Sequence, residues 1–223
     1  MDSLTLQEII EAWQARKQEQ SPQLLNSSIQ IIRLLSQGRP VSFEQFRSVS
    51  SLSGEESTTH FEHLKQSGCE FDENGHIIGN ALTFTPSPYR LQLNNLQLFA
   101  WCALDTLFLP AYLQQSVQVT STCFTTKSPI RLLVTPKGVE TVDPPTTVLS
   151  VVVPGVTPSC NIQAQTGPQG PVCSAIHFFC SRKVAALWLE ANPDKALLSI
   201  DEAWQLVYAV WVKPFQKIIT TKA

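Results

Sequence analysis

The chain has 223 residues, a formal net charge of −2 and six cysteines. Its length admits one domain or two small ones around a buried core, and the nearly balanced charge carries no signature of binding to nucleic acid or to an anionic membrane surface. The first residues, MDSLTLQEII, include an acid and lack the basic start and small-residue cleavage site of a signal peptide, so a cytoplasmic setting that keeps thiols reduced is expected.

Helix signals fill the N-terminal third. Thr5-x-x-Glu8 is a capping box ahead of the stripe Leu6, Ile9, Ile10 and Trp13. After the break at Ser21-Pro22, a helix is predicted over 28–36. Capping boxes at Ser42-x-x-Gln45 and Ser53-x-x-Glu56 start short helices over 43–49 and 54–66, the last closed by Gly68. Asn74-Gly75 between β-prone runs then predicts a hairpin.

Three helices and a hairpin read as a winged-helix-like unit. Its second capped helix carries Glu55, Glu56 and Glu62 against Lys65 alone, whereas a helix that meets phosphates should be basic. The unit is therefore expected to be a scaffold that does not bind nucleic acid. Thr85-Pro-Ser-Pro88 marks the expected boundary, giving an N-terminal unit over 1–84 and a core over 85–223.

The stretch Leu96–Leu113, LQLFAWCALDTLFLPAYL, is almost wholly apolar and is predicted to be helical, with Pro110 ending the regular pattern. It is long enough to raise the question of a membrane span, but Asp105 and Pro110 interrupt it and no basic flank orients it, so no membrane association is expected. Strands follow over 116–124, 130–135, 139–142 and 147–153, joined by connections short enough for antiparallel pairing. Residues 157–171 are rich in Gly and Pro and read as a loop. Val172–Phe179 reads as a strand, and helices over 182–191 and 200–212 close the chain, the latter behind the capping box Ser199-x-x-Glu202.

Chemistry concentrates in the apolar stretch. Cys102 and Asp105 are three apart, which on a helix makes them neighbours on one face, and burial should raise the pKa of the acid so that it carries a proton near neutral pH. No C-x-x-C pair suggests structural zinc, no G-x-S-x-G elbow a serine nucleophile, and no glycine-rich loop a phosphate cradle. Cys173, directly after the long loop, is placed to sit at a pocket mouth, although a free cysteine is most often a small buried hydrophobe. His177 is expected to be structural, since residues four apart on a strand lie roughly 13 Å apart and could not share an ion with Cys173. Cys69, Cys123 and Cys180 read as packed and inert, Cys160 as an exposed bystander in the loop, and Trp101 as core or pocket wall. Two thiols and a carboxyl are the strongest constellation in the sequence.

The segment Ala100-Trp-Cys-Ala-Leu-Asp-Thr106, with Pro110 close behind, resembles the signature of the alkylmercury (organomercurial) lyases. Further similarity lies in Gly38-Arg-Pro-Val41, Asp72–Gly79, Ser121-Thr-Cys123 and Cys173–Phe179, in the family's order. The resemblance spans about Ile29 to Trp204 and departs from the pattern in the first helix, the loop with Cys160 and the C-terminus.

It implies an α+β fold, a winged-helix-like unit on a mixed α/β core with a mainly antiparallel sheet. It further implies Cys102 and Cys173 as the active thiols, Asp105 as the acid and Cys123 as a structural cysteine. The implied activity is protonolysis of the carbon–mercury bond without a cofactor, with Hg²⁺ held as product and passed to cellular thiols or mercuric reductase. Soft metals select thiolates, which suits this set of side chains. The rival expectation is a non-enzymatic thiol metal carrier or a metal-responsive winged-helix regulator.

Overall fold

The computed structural model describes residues 4–17, 22–155 and 170–220. Helix α1 (Leu6–Lys17) starts where Thr5 and Glu8 cap one another, the Glu8 carboxylate accepting the Thr5 N–H at 2.7 Å. Its stripe buries Ile9 and Trp13, and the Trp13 indole N–H donates to the Val152 carbonyl at 2.9 Å. Helix α2 runs from Pro22 to Leu35, starting earlier than the predicted 28–36, and buries Ile29, Ile32 and Leu35.

Helices α3 (Phe43–Val49) and α4 (Gly54–Ser67) begin at the two predicted boxes, with both reciprocal bonds formed in each. Gly68 ends α4 in extended backbone, φ 175°, so the stop does not use a left-handed glycine. Strands β1 (Glu70–Phe71) and β2 (Ile77–Asn80) form the hairpin, with Gly75 at φ 75° and the Asp72 carboxylate accepting the N–H groups of Asn74 and His76. Val41 bridges Ile77 and ties the helices to the hairpin.

The hairpin does not stand apart. Strands β3 (Leu82–Thr83), β4 (Tyr89–Leu93), β5 (Leu96–Ala100), β6 (Val117–Thr122), β7 (Pro129–Thr135) and β8 (Gly138–Asp143) join it in one eight-stranded antiparallel sheet, ordered β1-β2-β3-β5-β4-β6-β7-β8. The sheet thus runs through Thr85–Pro88. A second, three-stranded sheet, β10-β9-β11, is built from β9 (Val148–Val152), β10 (Phe178–Phe179) and β11 (Lys195–Ser199). Every residue of β9 is buried, as its continuous apolar run predicts.

The apolar stretch corrects the expectation of one helix over 96–113. Its first five residues are strand β5, paired with β4 through the two-residue turn Asn94-Asn95, with Asn94 at φ 50°. A two-residue turn of this kind fixes a hairpin, and that pairing overrides the helix preference of the leucines. Residues 101–104 turn, and α5 (Asp105–Leu113) follows. Pro110 lies inside α5 and does not end it. The helix stops at Gln114, φ 55°, where the Gln115 N–H donates to the Pro110 carbonyl at 3.2 Å.

Asp105 through Tyr112 are all buried, and α5 packs on α2, β7 and the later helix α8 (Ile200–Val207). A helix apolar on all sides is a core helix. Among the described residues no helix is long and apolar enough to cross a membrane.

The predicted strand 172–179 is also corrected. Gly170–Cys173 is one helical turn, α6, and only Phe178–Phe179 pairs in a sheet. Helix α7 (Arg182–Glu190) has Ser181 at its N-cap, and α8 starts at the Ser199–Glu202 box. The predicted helix over 200–212 continues past Val207 as a wider π turn, Tyr208–Val212, and a short terminal helix, α9 (Gln216–Thr220), follows. Strand β11 had no clear signal: its centre, Ala-Leu-Leu, has no β-branched residue. Of the expected loop over 157–171, residues 157–169, with Cys160, lie outside the described residues, and Gly170 and Pro171 begin α6 instead.

Candidate active site

Two turns, one from each sheet, make the site. The first leaves β5 and places Cys102 just ahead of α5, with Asp105 as the helix's first residue. Leu104 offers the helix no side-chain cap, and the Asp105 carboxylate instead reaches back, its Oδ2 accepting the Cys102 N–H at 2.9 Å. An acid in the first turn is also favoured by the helix dipole. Cys102 and Asp105 are therefore neighbours, as expected, but through a strand-to-helix turn rather than along one helix face.

The second turn carries Cys173 and is pinned by Ser150 of β9. The Ser150 hydroxyl donates to the Ala175 carbonyl at 2.9 Å and accepts the His177 N–H at 2.9 Å. The two turns meet at Ile176, whose carbonyl accepts the Ala103 N–H at 3.4 Å and the Tyr89 hydroxyl at 3.1 Å.

This brings Cys102 Sγ, Cys173 Sγ and an Asp105 carboxylate oxygen within 4.8 Å of one another. The Cys173 thiol faces Asp105 Oδ2 at 4.0 Å, so one oxygen serves both turns. Cys102 and Asp105 are buried and Cys173 is half-buried. Burial, a hydrogen bond to Cys173 and the nearby Asp105 charge push the Cys102 thiol well above its ordinary range. A thiol held protonated in this way needs a nearby base before it can ligate a metal.

A cavity of about 330 Å³ opens onto Cys173. Its wall includes Pro86, Pro88, Tyr89, Trp101, Phe124 and His177, with Lys127 at the side. Trp101 thus walls the pocket, and its indole N–H is buried without a hydrogen-bond partner among the described residues. His177 is held in place as expected, stacked on Phe124 at 3.9 Å between ring centroids and hydrogen-bonded through Nδ1 to the Tyr89 hydroxyl at 3.0 Å. Burial pulls its pKa down to about 4, so it is neutral near pH 7. Its expected distance from Cys173 assumed a strand that does not form, and its place is the cavity wall.

Tyr89 and Phe124 are wall residues that sequence reasoning missed, and Trp188 packs edge-on to His177 with ring centroids 6.1 Å apart. The rigid run Pro86-Ser-Pro88 before Tyr89 was the available signal. Cys69 lies away from the cluster, burial raising its thiol to about 12, with the Asn80 amide donating to its sulfur at 3.3 Å.

A family model described as "Alkylmercury lyase" matches residues 82–211, more than half of the chain. The alkylmercury lyase of Streptomyces lividans is 35% identical over 176 residues, which cover 79% of this chain and 77% of that one. The Pseudomonas putida alkylmercury lyase is 34% identical over 182 residues, 82% of this chain and 81% of the other. The mercury-bound crystal structure of MerB2 superposes with a TM-score of 0.72 at 21% identity, covering 96% of this chain and all of that one, a likeness of fold.

Proposed function

The chain belongs to the alkylmercury lyase family, and on that premise we propose that Cys102, Cys173 and Asp105 together break the carbon–mercury bond. The chain is a carbon–mercury lyase whose substrate is an organomercurial compound, and nothing observed favours the metal carrier or the regulator. The observation that carries the assignment of residues is the shared oxygen. Asp105 Oδ2 lies at hydrogen-bond distance from the Cys102 backbone and faces the Cys173 thiol.

Asp105 takes up a thiol proton as sulfur binds mercury. The second thiolate then adds to the soft metal and raises electron density at the metal-bound carbon. Protonated Asp105 returns its proton to that carbon, the carbon–mercury bond breaks, and R–H leaves. Two thiol protons are released in a turnover. One ends on the hydrocarbon by way of Asp105, and the other departs with the anion displaced from the incoming R–Hg group. Hg²⁺ remains between the two sulfurs with the carboxylate beside them. The aromatic cavity wall suits an alkyl or aryl group on mercury.

The reaction draws on the chain's own side chains. Within this reading residues 1–84 are scaffold and 85–223 hold all three reactive groups. The scaffold supplies the Ala81 carbonyl, which accepts the Trp101 backbone N–H at 3.0 Å beside Cys102. Small cellular thiols and mercuric reductase are the proposed acceptors of the ion, in a cytoplasm that keeps thiols reduced.

The test is to incubate the protein with a phenylmercury salt and excess small thiol and to measure benzene. Many benzene molecules per chain are expected. Sub-stoichiometric or absent benzene would overturn the reading in favour of a carrier.

A further inference from the structure

A second thiol pair lies behind the cavity wall, outside the machinery above. Cys123 follows the last residue of β6 and Cys180 follows the last residue of β10. The Phe124 N–H donates to the Phe178 carbonyl at 2.8 Å, and the Cys180 N–H donates to Cys123 Sγ at 3.3 Å, which fixes the two strand ends against each other. The two thiols influence one another's titration, and the Thr126 hydroxyl lies 3.5 Å from Cys180 Sγ. The tight turn 123–128 closes around them, with the Cys123 N–H donating to the Ser128 carbonyl at 2.8 Å and the Lys127 N–H to the Cys123 carbonyl at 2.9 Å.

We propose that Cys123 and Cys180 form a second two-thiolate site, and that its ligand is mercuric ion. The choice of ion rests on the lyase reading, because that reaction supplies it; the pairing of the thiols does not.

Three features suit the pair to a soft cation. The two cysteines are adjacent just past the ends of two different strands, so both sulfurs can serve one soft ion. Cys123 is fully buried while Cys180 is half-buried, so an ion has a way in past Cys180. The surroundings also favour a charged sulfur. Burial pushes the Cys123 thiol up, but the polar groups of Thr126 and Cys180 around it, with the Cys180 N–H donating at 3.3 Å, outweigh it and leave its pKa at about 7. A donor aimed at a sulfur favours its thiolate, the form that ligates a metal. The site is next to the reaction, since Phe124, the residue after Cys123, lines the cavity that reaches Cys173.

Uptake is a ligand exchange with no change of oxidation state. An ion held by two small thiolates loses both of its bonds to them and gains bonds to Cys123 and Cys180. The proton of Cys180 ends on one released thiol, and the other is released as thiolate.

The experiment uses the full chain with Cys102→Ser, Cys160→Ser and Cys173→Ser, which leaves Cys69, Cys123 and Cys180. Mercuric chloride is added with excess free cysteine as competitor, and bound mercury is measured after gel filtration, alongside the ultraviolet absorption of sulfur–mercury bonds. Close to one mercury per chain is expected, falling to near zero when Cys180→Ser is added. No retained mercury in the first variant, or the same amount after Cys180→Ser, overturns the proposal.

The unaltered chain gives a second measurement that needs no substitution. With a second equivalent of mercuric ion, Cys180 should become protected from iodoacetamide by at least tenfold. An unchanged alkylation rate overturns the proposal. Benzene release from the unaltered chain reads the lyase assignment by itself, so the two failures are distinguishable.

Discussion

Ala103 donates its backbone N–H to the carbonyl of Ile176 at 3.4 Å, joining the turn that carries Cys102 to the turn that carries Cys173. The same carbonyl accepts the Tyr89 hydroxyl at 3.1 Å. The separation of the Cys102 and Cys173 sulfurs is thus held by contacts between segments from different sheets.

Loss of either thiol should end the reaction. Cys102→Ala and Cys173→Ala are expected to release no measurable benzene from phenylmercury. Asp105→Asn keeps the shape and the N–H contact but cannot carry the proton, and should slow release about 10²- to 10⁴-fold. Headspace gas chromatography of single-turnover mixtures measures all three. Near-normal release in any one of them removes that residue from the mechanism.

Ser150 is fully buried and holds the Cys173 turn through two hydrogen bonds, one given and one accepted. Ser150→Ala leaves the Ala175 carbonyl and the His177 N–H short of a partner, at a cost of about 1–3 kcal/mol. Urea unfolding should show that loss, together with a drop in benzene release larger than Tyr89→Phe causes. Unchanged stability would mean that the turn is held elsewhere.

Tyr89→Phe removes one of the two donors on the Ile176 carbonyl and the partner of His177 Nδ1. A loss of about 1 kcal/mol in stability is expected. Catalysis should persist, because burial and the charges of Cys102, Asp105 and Cys173 raise the phenol's pKa and keep it a structural donor. Complete inactivation would assign the hydroxyl a chemical role.

His177 gives a pH signature. Its pKa is about 4 in the folded chain, against roughly 6.5 unfolded. The unfolded state therefore binds more protons between those values, and stability falls as pH drops through that window. The contribution is whole above about pH 6.5 and lost towards pH 4. With allowance for the partly open ring, about 1 kcal/mol should disappear between pH 7 and pH 5, a shift of roughly 2–4 °C in a chain of this size. His177→Gln should flatten that part of the melting curve's pH dependence, and an unchanged pH dependence would count against a buried neutral imidazole.

Gly79 sits where a side chain does not fit. An added Cβ would lie 2.8 Å from both Glu70 Oε2 and Thr83 Oγ1, in a knot where the Glu70 carboxylate accepts the hydroxyls of Thr83 at 2.5 Å and Thr85 at 2.7 Å. Gly79→Ala is expected to cost about 1–3 kcal/mol by crowding that cluster. Thermal melts check it, and a neutral result would mean that the hairpin yields easily.

Much of this was legible in residues with strong local chemistry. Ser42, Ser53 and Ser199 each start a helix at the predicted place, because a cap and its partner three residues on are read within one turn of chain. The alternating burial of β6 and the solid burial of β9 follow their sequence patterns. The failures lie where distant pairing decides. Leu96–Ala100 reads as helix until β4 is beside it, and Cys173 reads as strand although its turn is shaped by Ser150, which lies across the second sheet. The proximity of Cys102 and Asp105 survived a wrong secondary structure, since an acid can reach back three residues from a helix start. Cys123 beside Cys180, and Tyr89 beside His177, bring together strand ends with no local signal to announce them.

The placement of Asp105 and Cys173, 68 residues apart on segments from different sheets, also bears on how the molecule comes into being. Contacts this distant carry a large loop-closure entropy and are slow to appear during folding. A growing polypeptide can complete β4 and β5 and present Cys102 and Asp105 while its second thiol is still unmade. Until the second sheet is in place, the first half is a buried sulfur beside an acid with no partner. On the proposed mechanism competence to cleave is therefore acquired late, and a partly folded chain that meets mercury holds isolated thiols instead of a site.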